Sequence, residues 1–507
     1  MSGLFWLDER GYMKDELIDY DAIGLEGLIR KGEIRATELL EITVQRIERV
    51  NPKLNAVIHT MYDQAREIAE NWDSETAKQK LPGSLFHGVP FLLKDLIAEY
   101  KGAPFHEGSF AVKGYVSKLD SELVKRQRAS GLIVIGKTNT PEFGLLPTTE
   151  PALYGATVNP WDPSLTTGGS SGGSSAAVAA GIVTMAHGSD AGGSIRIPAS
   201  FCGLFGLKPT RSRNPLGPYF GDIGGGLVHE HGLTRTVRDS AALLDATSGP
   251  DLGDPYHAPP KERPFLEEVK REVRPLKIGL LSSIPEGWSL EARLHPDCES
   301  AVKDAARLCE TLGHIVEEVV PGDLSYPDLF KAFGKIFTCL TGRFIAYWET
   351  ELGKKIAKEQ LEPITWITYQ AGLKRTGADY LGALESIQRF SRKLARWQDG
   401  GGYDMILSPT VCIPPAKLGS FRPVPDDSMR WAKMSNTLST LTYIYNITGQ
   451  PAMSVPLFWN EENMPIGVQF AGWFGDEATL FRLAAQLEQA RPWTDRTPPI
   501  HCSNPEI

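Results

Sequence analysis

The chain has 507 residues, a length that predicts either about three domains of ~150 residues or one large α/β domain. Its net charge of −9 argues against nucleic acid and anionic membrane surfaces as partners, because the chain has no basic excess for binding phosphate groups. Hydrophobic residues make up 41% and charged residues 23%, an ordinary globular composition that excludes disordered and fibrous proteins.

The first segment and the cysteines bear on cellular location. The first twenty residues are acidic and lack a basic region followed by an apolar one, so they do not resemble a secretory signal. The longest apolar stretch, around Ala176 to Val183, falls far short of the ~18 residues that a membrane span requires. Six cysteines are scattered without a C-x-x-C pair, which favours neither a disulfide framework nor a zinc site. We therefore expect a cytoplasmic protein with reduced, mostly buried cysteines.

The N-terminal segment, residues 1–80, has a helical pattern. Thr37 is a candidate N-cap, and Asn51-Pro52 is expected to end the helix. The apolar side chains between them recur every three to four residues, at Leu39, Leu40, Thr43, Val44, Ile47 and Val50. The sequence therefore predicts an amphipathic helix here.

From about residue 81, short apolar runs alternate with helical stretches. The runs are VPFLL before Lys94, LIVIG from Leu132, LKIGLL from Leu276, HIVEEVV from His314, MILSP from Met405 and GVQFAG from Gly467. This alternation predicts an α/β fold with strands from both halves of the chain in a single large sheet. Residues 249–275, rich in Pro and charge, are expected to be a long surface connection, with a domain linker as the alternative. Residues 285–400 are mostly helical in pattern and are expected to cover the sheet as an outer layer.

Two Gly/Ser clusters carry the first sign of chemistry. Residues 168–181 read GGSSGGSSAAVAAG, a polar loop followed by a helix of small residues. The second cluster, SDAGGSIR, begins at Ser189 after an apolar run. Ser194 follows two glycines there, so it is placed for nucleophilic attack, and the glycines leave backbone N–H groups unobstructed for an oxyanion.

A serine nucleophile needs a base, and two arrangements come into consideration. Gly168-x-Ser170-x-Gly172 formally matches the G-x-S-x-G elbow of Ser-His-Asp hydrolases, but that elbow should follow a strand, whereas NPWDPSLTT precedes it here. Lys94 follows an apolar run and is expected to be partly buried, which lowers a lysine pKa toward neutrality. The alternative for Lys94 is an ion pair with the adjacent Asp95.

These residues together resemble the amidase signature family. GGSSGGSSAAVAAG fits that family's signature, SDAGGSIRIPASFCGLFGLKPT resembles its second motif, and GVPFLLKDL supplies the lysine. KTNTPEFG and the closing GQPAMSVPLFWNEENMPIGVQFAG extend the resemblance over nearly the whole chain. It implies a large mixed β-sheet sandwiched between many α-helices in a single compact domain over 81–507. Within that domain, the resemblance implies a catalytic core at 81–250, a helical layer lining the pocket at 285–400, and a return to the sheet at 401–507.

The resemblance also implies roles for individual residues. Ser194 would be the acyl-forming nucleophile, Ser170 a bridging serine with a cis peptide bond, and Lys94 the base for both. The resemblance also implies that the backbone amides of Ala191, Gly192, Gly193 and Ser194 bind the oxyanion, and that Asp190 and Arg196 form a supporting or merely structural pair. Cys339, in the helical layer, is a candidate pocket residue, with simple packing as the alternative. Neither a metal nor an organic cofactor is implied. His229 and His231, in VHEHG, resemble a metal pair, but without a third ligand at a recognisable spacing they are interpreted as loop residues.

Departures from the family pattern bear on the substrate. Ala191 stands where a bulkier aliphatic residue is common, Thr140 where methionine is frequent, and Ile197 where glutamyl-tRNA amidotransferase A subunits have glutamine. The stretch from PLGPYF to TSGPD most resembles the branch of bacterial amidases that includes the 6-aminohexanoate-cyclic-dimer hydrolases. We therefore expect a small-molecule amide as substrate, linear or cyclic, such as a nylon-type oligomer or an aryl amide. Carbamates, urethanes and esters are further candidates because they share the acyl-transfer route.

Two other functions remain as alternatives. One is an amidotransferase A-type subunit that releases ammonia from glutamine in a multi-subunit complex. The other is a non-catalytic relative, which the joint presence of Lys94, Ser170 and Ser194 argues against. For the leading hypothesis we expect a monomer or homodimer without nucleic-acid or membrane partners.

Overall fold

A computed structural model describes residues 16–74, 84–422 and 430–507 of the chain. Both ends of the predicted N-terminal segment 1–80 therefore lie outside the described residues. Within the described ranges, no helix combines the length and the apolar character that crossing a membrane requires.

The described strands form one mixed sheet of 11 strands. They are β1 (Val57–Thr60), β2 (Pro90–Lys94), β3 (Ile133–Thr138), β4 (Met185–Asp190), β5 (Phe205–Lys208), β6 (His229–Thr234), β7 (Lys277–Leu280), β8 (Ile315–Glu318), β9 (Met405–Pro409), β10 (Ala452–Trp459) and β11 (Pro465–Ala471). Their order is β1-β3-β2-β4-β6-β5-β10-β11-β9-β7-β8. All six apolar runs of the sequence analysis contribute strands, so the predicted α/β fold with a single large sheet is confirmed.

Helices surround this sheet. They are α1 (Ala22–Lys31), α2 (Ala36–Leu54), α3 (Tyr62–Asp73), α4 (Glu122–Ala129), α5 (Gly172–Ala179), α6 (Arg196–Cys202), α7 (Val237–Thr247), α8 (Phe265–Glu268), α9 (Pro296–Thr311), α10 (Leu329–Leu352), α11 (Pro363–Leu373), α12 (Gly377–Gly401), α13 (Arg430–Ser439), α14 (Tyr443–Thr448) and α15 (Glu477–Ala490). Short 3₁₀ turns lie at Glu16–Asp19, Phe110–Val112, Glu142–Gly144, Pro321–Leu324 and Lys358–Gln360.

The inner strands of the sheet are buried on both faces, as alternate side chains of β2 demonstrate, whereas the edge strand β8 is largely exposed. On β2, Leu92 packs into a cluster with residues of α2 and α5, whereas Phe91 and Leu93 pack into a different cluster with residues of α1. Successive side chains of a strand point to opposite faces, so each face has its own apolar layer. Full burial of one such side chain contributes about 1.5–3 kcal/mol, which explains the nearly continuous apolar runs in the sequence.

Three local expectations need correction. Helix α2 begins at Ala36 rather than after a Thr37 cap, because the Asp73 carboxylate at the end of α3 accepts the Ala36 and Thr37 N–H groups. It also runs past Asn51-Pro52 to Leu54. The N-terminal segment is not wholly helical, since β1 lies within it and pairs with β3.

The Pro-rich connection at 249–275 leads from α7, through the short α8, into β7 of the same sheet. It is therefore a surface connection, as expected from the sequence, and not a linker between separately folded sheets.

Candidate active site

Two parallel strands bring the lysine to the second Gly/Ser cluster. β2 and β4 are neighbours in the sheet, with Leu92 opposite Ala186. They end at Lys94 and Asp190, and the carboxyl ends of adjacent parallel strands lie at the same edge of a sheet. This placement puts Lys94 next to Ser189, the residue before the end of β4.

Lys94 is fully buried and lies within hydrogen-bond distance of two serine hydroxyls. Its Nζ is 2.6 Å from Ser170 Oγ and 2.9 Å from Ser189 Oγ. Burial lowers the pKa of Lys94 to about 7, against the opposing negative charges of Asp190, Glu230 and Glu107. Near neutral pH a large fraction of Lys94 is therefore uncharged and able to accept a proton.

The alternative role of Lys94, an ion pair with Asp95, does not match the geometry. The Asp95 carboxylate lies 3.8 Å from Lys137 Nζ and accepts the His106 N–H at 3.1 Å. Asp95 therefore pairs with a different buried lysine and holds the chain that follows β2.

Ser170 lies in a tightly enclosed loop before α5. The Gly169–Ser170 peptide bond is cis, the geometry that the family resemblance implies. A Cβ at Gly169 would lie 2.7 Å from backbone atoms of Thr148, and one at Gly173 would lie 2.4 Å from the Asn139 nitrogen. The glycines of the signature thus allow the loop and α5 to approach neighbouring backbone, which fixes Ser170 beside Lys94.

Ser194 lies in the turn between β4 and α6 and is half-buried. Its carbonyl accepts the Ser171 N–H at 3.2 Å, so the two Gly/Ser clusters are joined directly. Gly193 has a φ of 130°, and a Cβ there would lie 2.3 Å from Thr442 Oγ1. Only glycine fits this backbone conformation and this space.

The predicted oxyanion donors are not equivalent. The Gly193 N–H donates to Asp190 Oδ1 at 2.7 Å, and the Ile195 N–H donates to Asp190 Oδ2 at 3.1 Å. Asp190 therefore shapes the turn that carries Ser194 and engages the Gly193 amide. The other two predicted donors, the backbone amides of Ala191 and Gly192, lie in the same turn as the Gly193 amide.

Asp190 and Arg196 form a fully buried bidentate ion pair. Arg196 Nε and Nη2 lie 3.0 and 2.9 Å from the Asp190 carboxylate oxygens, and Asn446 Nδ2 donates to the same carboxylate at 2.9 Å. Burial alone would raise the pKa of Asp190, but the charge and hydrogen bonds of Arg196 hold it below its ordinary value. Gln469 Oε1 accepts from Arg196 Nη1 at 2.7 Å and completes the arrangement.

Ala191 packs against an apolar cluster whose members come from several elements. We call this set the Ala191 cluster: Ile97, Ala191, Leu216, Phe220, Ile223, Val228, Leu340 and Phe344. A Cβ on Gly192 would lie 3.4 Å from the ring of Phe333. Helix α10 thus supplies a wall beside the Ser194 turn, where the sequence predicted a helical layer. Cys339 is half-buried on the same helix next to Leu340, and burial raises the pKa of its thiol.

The two rejected motifs occupy ordinary structural positions. Residues 159–171 include no strand, so the Gly168-x-Ser170-x-Gly172 match lacks the strand that an elbow requires. His229 and His231 lie in β6, not in a loop as the sequence analysis expected, because VHEHG pairs with β4. His229 Nδ1 lies 2.9 Å from the Leu227 carbonyl and His231 Nε2 lies 2.9 Å from Ser240 Oγ. Among the described residues, no group of three His, Cys, Asp or Glu side chains could hold a metal ion.

Sequence reasoning missed several partners of the site. Ser189 is the second hydroxyl at Lys94, and its position near the end of an apolar run was the available signal. Asn446 and Gln469 reach Asp190 and Arg196 from the last third of the chain. Asn446 lies on α14 and Gln469 on β11, 250 and 273 positions from Arg196, so no local pattern indicates these contacts.

The sequence profile of the amidase family matches residues 38–481. The chain belongs to the amidase family. This amidase is 37% identical over 489 residues to 6-aminohexanoate-cyclic-dimer hydrolase of Paenarthrobacter ureafaciens, covering 95% of this chain and 96% of that protein.

Solved structures agree with this relationship. The structure of 6-aminohexanoate cyclic dimer hydrolase complexed with substrate has a TM-score of 0.89 and 36% identity, covering 96% of this chain and all of that one (100%). A bacterial aryl acylamidase of the amidase signature enzymes has a TM-score of 0.85 and 26% identity, covering 97% and 99% of the two chains. The protein is therefore an amide-bond hydrolase with the amidase signature fold.

Proposed function

We propose that this amidase hydrolyses the C–N bond of small to medium linear or cyclic amides through an acyl-enzyme on Ser194, with Ser170 and Lys94 completing the triad. The observation that carries the proposal is the 2.6 Å distance between Lys94 Nζ and Ser170 Oγ in a fully buried environment. A lysine so placed, with a pKa of about 7, is a competent base for a serine hydroxyl.

Acylation begins with proton transfer through the two serines. Neutral Lys94 accepts the Ser170 proton while Ser170 accepts the Ser194 proton, and Ser194 Oγ attacks the amide carbonyl carbon. The C–N bond then breaks, and the proton held on Lys94 returns through Ser170 to the leaving amine. Water repeats the sequence on the acyl-serine and releases the acid.

The Ser194 turn is suited to stabilise the tetrahedral intermediate. Its backbone amides follow one another at the carboxyl end of β4, and preorganised N–H donors of this kind stabilise an oxyanion strongly in a dry site. Because Gly193 N–H donates to Asp190, we assign the main oxyanion contacts to the amides of Ala191, Gly192 and Ser194. The Asp190–Arg196 pair then acts by holding the turn rather than by touching the substrate.

The surroundings of Ala191 support an apolar acyl group. The Ala191 cluster and Phe333 offer aliphatic and aromatic surface, which favours hydrophobic chains and rings over charged ones. The named activity of the related cyclic-dimer hydrolase and aryl acylamidase supports cyclic, nylon-type and aryl amides as substrates. Carbamates, urethanes and esters share the same acyl-transfer route. Cys339 is proposed to line this pocket, and the enzyme is proposed to act as a monomer or homodimer without nucleic acid, membrane or cofactor.

A substrate panel on the purified chain tests this proposal. Wild type and Ser194→Ala are compared on anilides, 6-aminohexanoate cyclic dimer, carbamates and glutamine. We expect wild type to hydrolyse apolar amides without a partner protein and Ser194→Ala to lose this activity. Undiminished hydrolysis by Ser194→Ala would refute the acyl-serine. Release of ammonia from glutamine, confined to a complex with partner subunits, would favour the amidotransferase alternative instead.

A further inference from the structure

Three residues with side chains have left-handed backbone conformations close to Lys94. The φ angles are 65° at Ile97, 47° at Glu107 and 51° at Phe143. A positive φ is uncommon for residues other than glycine, and for a β-branched residue such as Ile97 it is a genuine outlier. Strained conformations persist only where the surrounding structure holds them, and they concentrate at functional sites.

Hydrogen bonds of Glu107 connect all three residues. Asp95, next to Lys94, accepts the backbone N–H groups of His106 and Glu107 with its carboxylate. The Glu107 carboxyl in turn accepts the Ile97 N–H, and the Glu107 carbonyl accepts the Phe143 N–H at 2.8 Å. The segment after β2 and the segment at 106–107 therefore hold each other reciprocally.

The Glu107 side chain also reaches the helical layer. Trp348 Nε1, on α10, donates to Glu107 Oε2 at 2.7 Å, and both side chains are buried. The same helix carries Leu340 and Phe344 of the Ala191 cluster, to which Ile97 also belongs. One carboxyl group thus bridges the chain that follows the catalytic lysine and the helix that forms the pocket wall.

We propose that Glu107 is a positioning residue that fixes the Lys94 segment and helix α10 relative to each other, and thereby sets both the base and the acyl pocket. This inference rests on the proposed function, because it assumes that Lys94 is the base. Glu107 touches neither the nucleophile nor the substrate in this account. Its effect passes through Ile97 on one side and Trp348 on the other.

The location of the group supports a specific role over chance burial. Burial raises the pKa of Glu107 to about 8, and the nearby charges of Asp95 and Glu99 act in the same direction. Burying a carboxyl group is unfavourable unless its hydrogen bonds are satisfied. Here the two partners are the Ile97 N–H, in the segment after Lys94, and Trp348 Nε1, on the helix that forms the pocket wall.

Labelling of Ser194 by methanesulfonyl fluoride tests the Lys94 side of the proposal. This reagent is too small to depend on the pocket wall, so its rate reports how well the base activates Ser194. Glu107→Ala removes both acceptors and is expected to slow labelling about tenfold to a hundredfold, since a displacement of ~1 Å has effects of that size.

Glu488→Ala is the matched control. Glu488, on α15, is a half-buried carboxyl whose pKa burial also raises, to about 7, but it accepts the Val237 N–H at 3.1 Å rather than an N–H of the Lys94 segment. We expect this variant to label at close to the wild-type rate. Equal labelling by folded Glu107→Ala and Glu488→Ala would overturn the inference. A wild type that is not labelled at Ser194 would overturn the proposed function together with it.

A double-mutant cycle keeps the test valid if Glu107→Ala does not fold. The rates are compared at a pH of about 9, where the Glu107 carboxyl, with its pKa of about 8, is mostly ionised and both of its oxygens accept. Glu107→Gln then leaves one acceptor oxygen, for which Ile97 and Trp348 compete. Trp348→Phe removes the competing indole N–H, so adding it to Glu107→Gln should raise the labelling rate, whereas Trp348→Phe alone should not. Additive losses in the two variants would show independent structural roles and would overturn the inference.

Discussion

Lys94 Nζ lies 2.6 Å from Ser170 Oγ at the edge of the sheet where β2 and β4 both end. A second hydroxyl, Ser189 Oγ, lies 2.9 Å from the same nitrogen. These contacts place a lysine that can lose its proton between the two Gly/Ser clusters.

Lys94→Met should lower kcat/KM by about 10²–10⁴-fold, the usual contribution of a general base. The matched control is Lys208→Met, since Lys208 is equally buried but its Nζ donates to the Pro209 carbonyl rather than to a serine hydroxyl. Steady-state kinetics on one anilide compare the two. A loss in Lys208→Met as large as that in Lys94→Met would mean that any buried lysine of the core matters equally.

The pH profile of kcat/KM should rise as Lys94 loses its proton, with a midpoint of about 7. Protonated Lys94 cannot accept the Ser170 proton, so activity is low on the acidic side. Glu230 raises the Lys94 pKa by its charge, so Glu230→Gln should move the rising limb to lower pH. Glu477→Gln, which alters a buried carboxylate paired with Arg213, should leave the limb in place. An unchanged midpoint of the rising limb in Glu230→Gln would contradict the assignment of this limb to Lys94.

Arg196→Met should destabilise the fold by about 3–5 kcal/mol, because it leaves the Asp190 charge buried and unpaired. In wild type the ion pair stabilises the protein fully at pH values above the ordinary Asp pKa. This contribution is lost as the pH falls through the lowered pKa of Asp190. Lys303→Met, which removes an ion pair with Glu299 on the surface, should destabilise the protein far less, because solvent screens that pair. Urea denaturation measures both, and equal losses would argue against the buried pair's role.

Gly193→Ala should be much more damaging than Gly192→Ala. At Gly193 the φ of 130° and the 2.3 Å approach to Thr442 Oγ1 leave no room for a methyl group. At Gly192 the nearest atom is 3.4 Å away, an ordinary contact with Phe333. We expect backbone strain alone to lower the free energy of unfolding of Gly193→Ala by about 1–3 kcal/mol. Thermal unfolding of Gly193→Ala and Gly192→Ala measures the difference. Equal melting temperatures would contradict the described turn.

Cys339 should be the first cysteine to react with a thiol reagent in the native protein. It is half-buried, whereas the other five cysteines are buried. Because burial raises the Cys339 pKa, the reaction should accelerate with rising pH. A competitive amide should slow the reaction if Cys339 lines the acyl pocket. Labelling that no amide affects would place the thiol outside the pocket.

The inner strands of the sheet were predictable because they are buried on both faces. Runs such as VPFLL and MILSP read as continuous apolar segments for that reason, and all six occur as strands. The loop-then-helix nature of residues 168–181 was equally visible, since small residues suit α5, where every side chain is buried. The prediction that Thr37 caps α2 is wrong because Asp73 of α3 accepts the first N–H groups of α2, a contact between two helices that local sequence does not show.

The site was only partly predictable from local sequence. The catalytic candidates lie in motifs that can be seen by themselves, so Lys94, Ser170 and Ser194 could be named from spacing and family resemblance. The strand register that puts Ser189 at Lys94 could not be read from any single segment, and neither could the reach of Asn446 to Asp190. The hydrogen bond from Trp348 to Glu107 joins residues 241 positions apart and was equally hidden.

The most direct measurement is intact mass spectrometry with peptide mapping after brief exposure to phenylmethylsulfonyl fluoride, on wild type and Lys94→Ala. We expect a single adduct on Ser194 in wild type that largely disappears in folded Lys94→Ala. An adduct on a different serine, or one on Ser194 that forms as fast without Lys94, would contradict it.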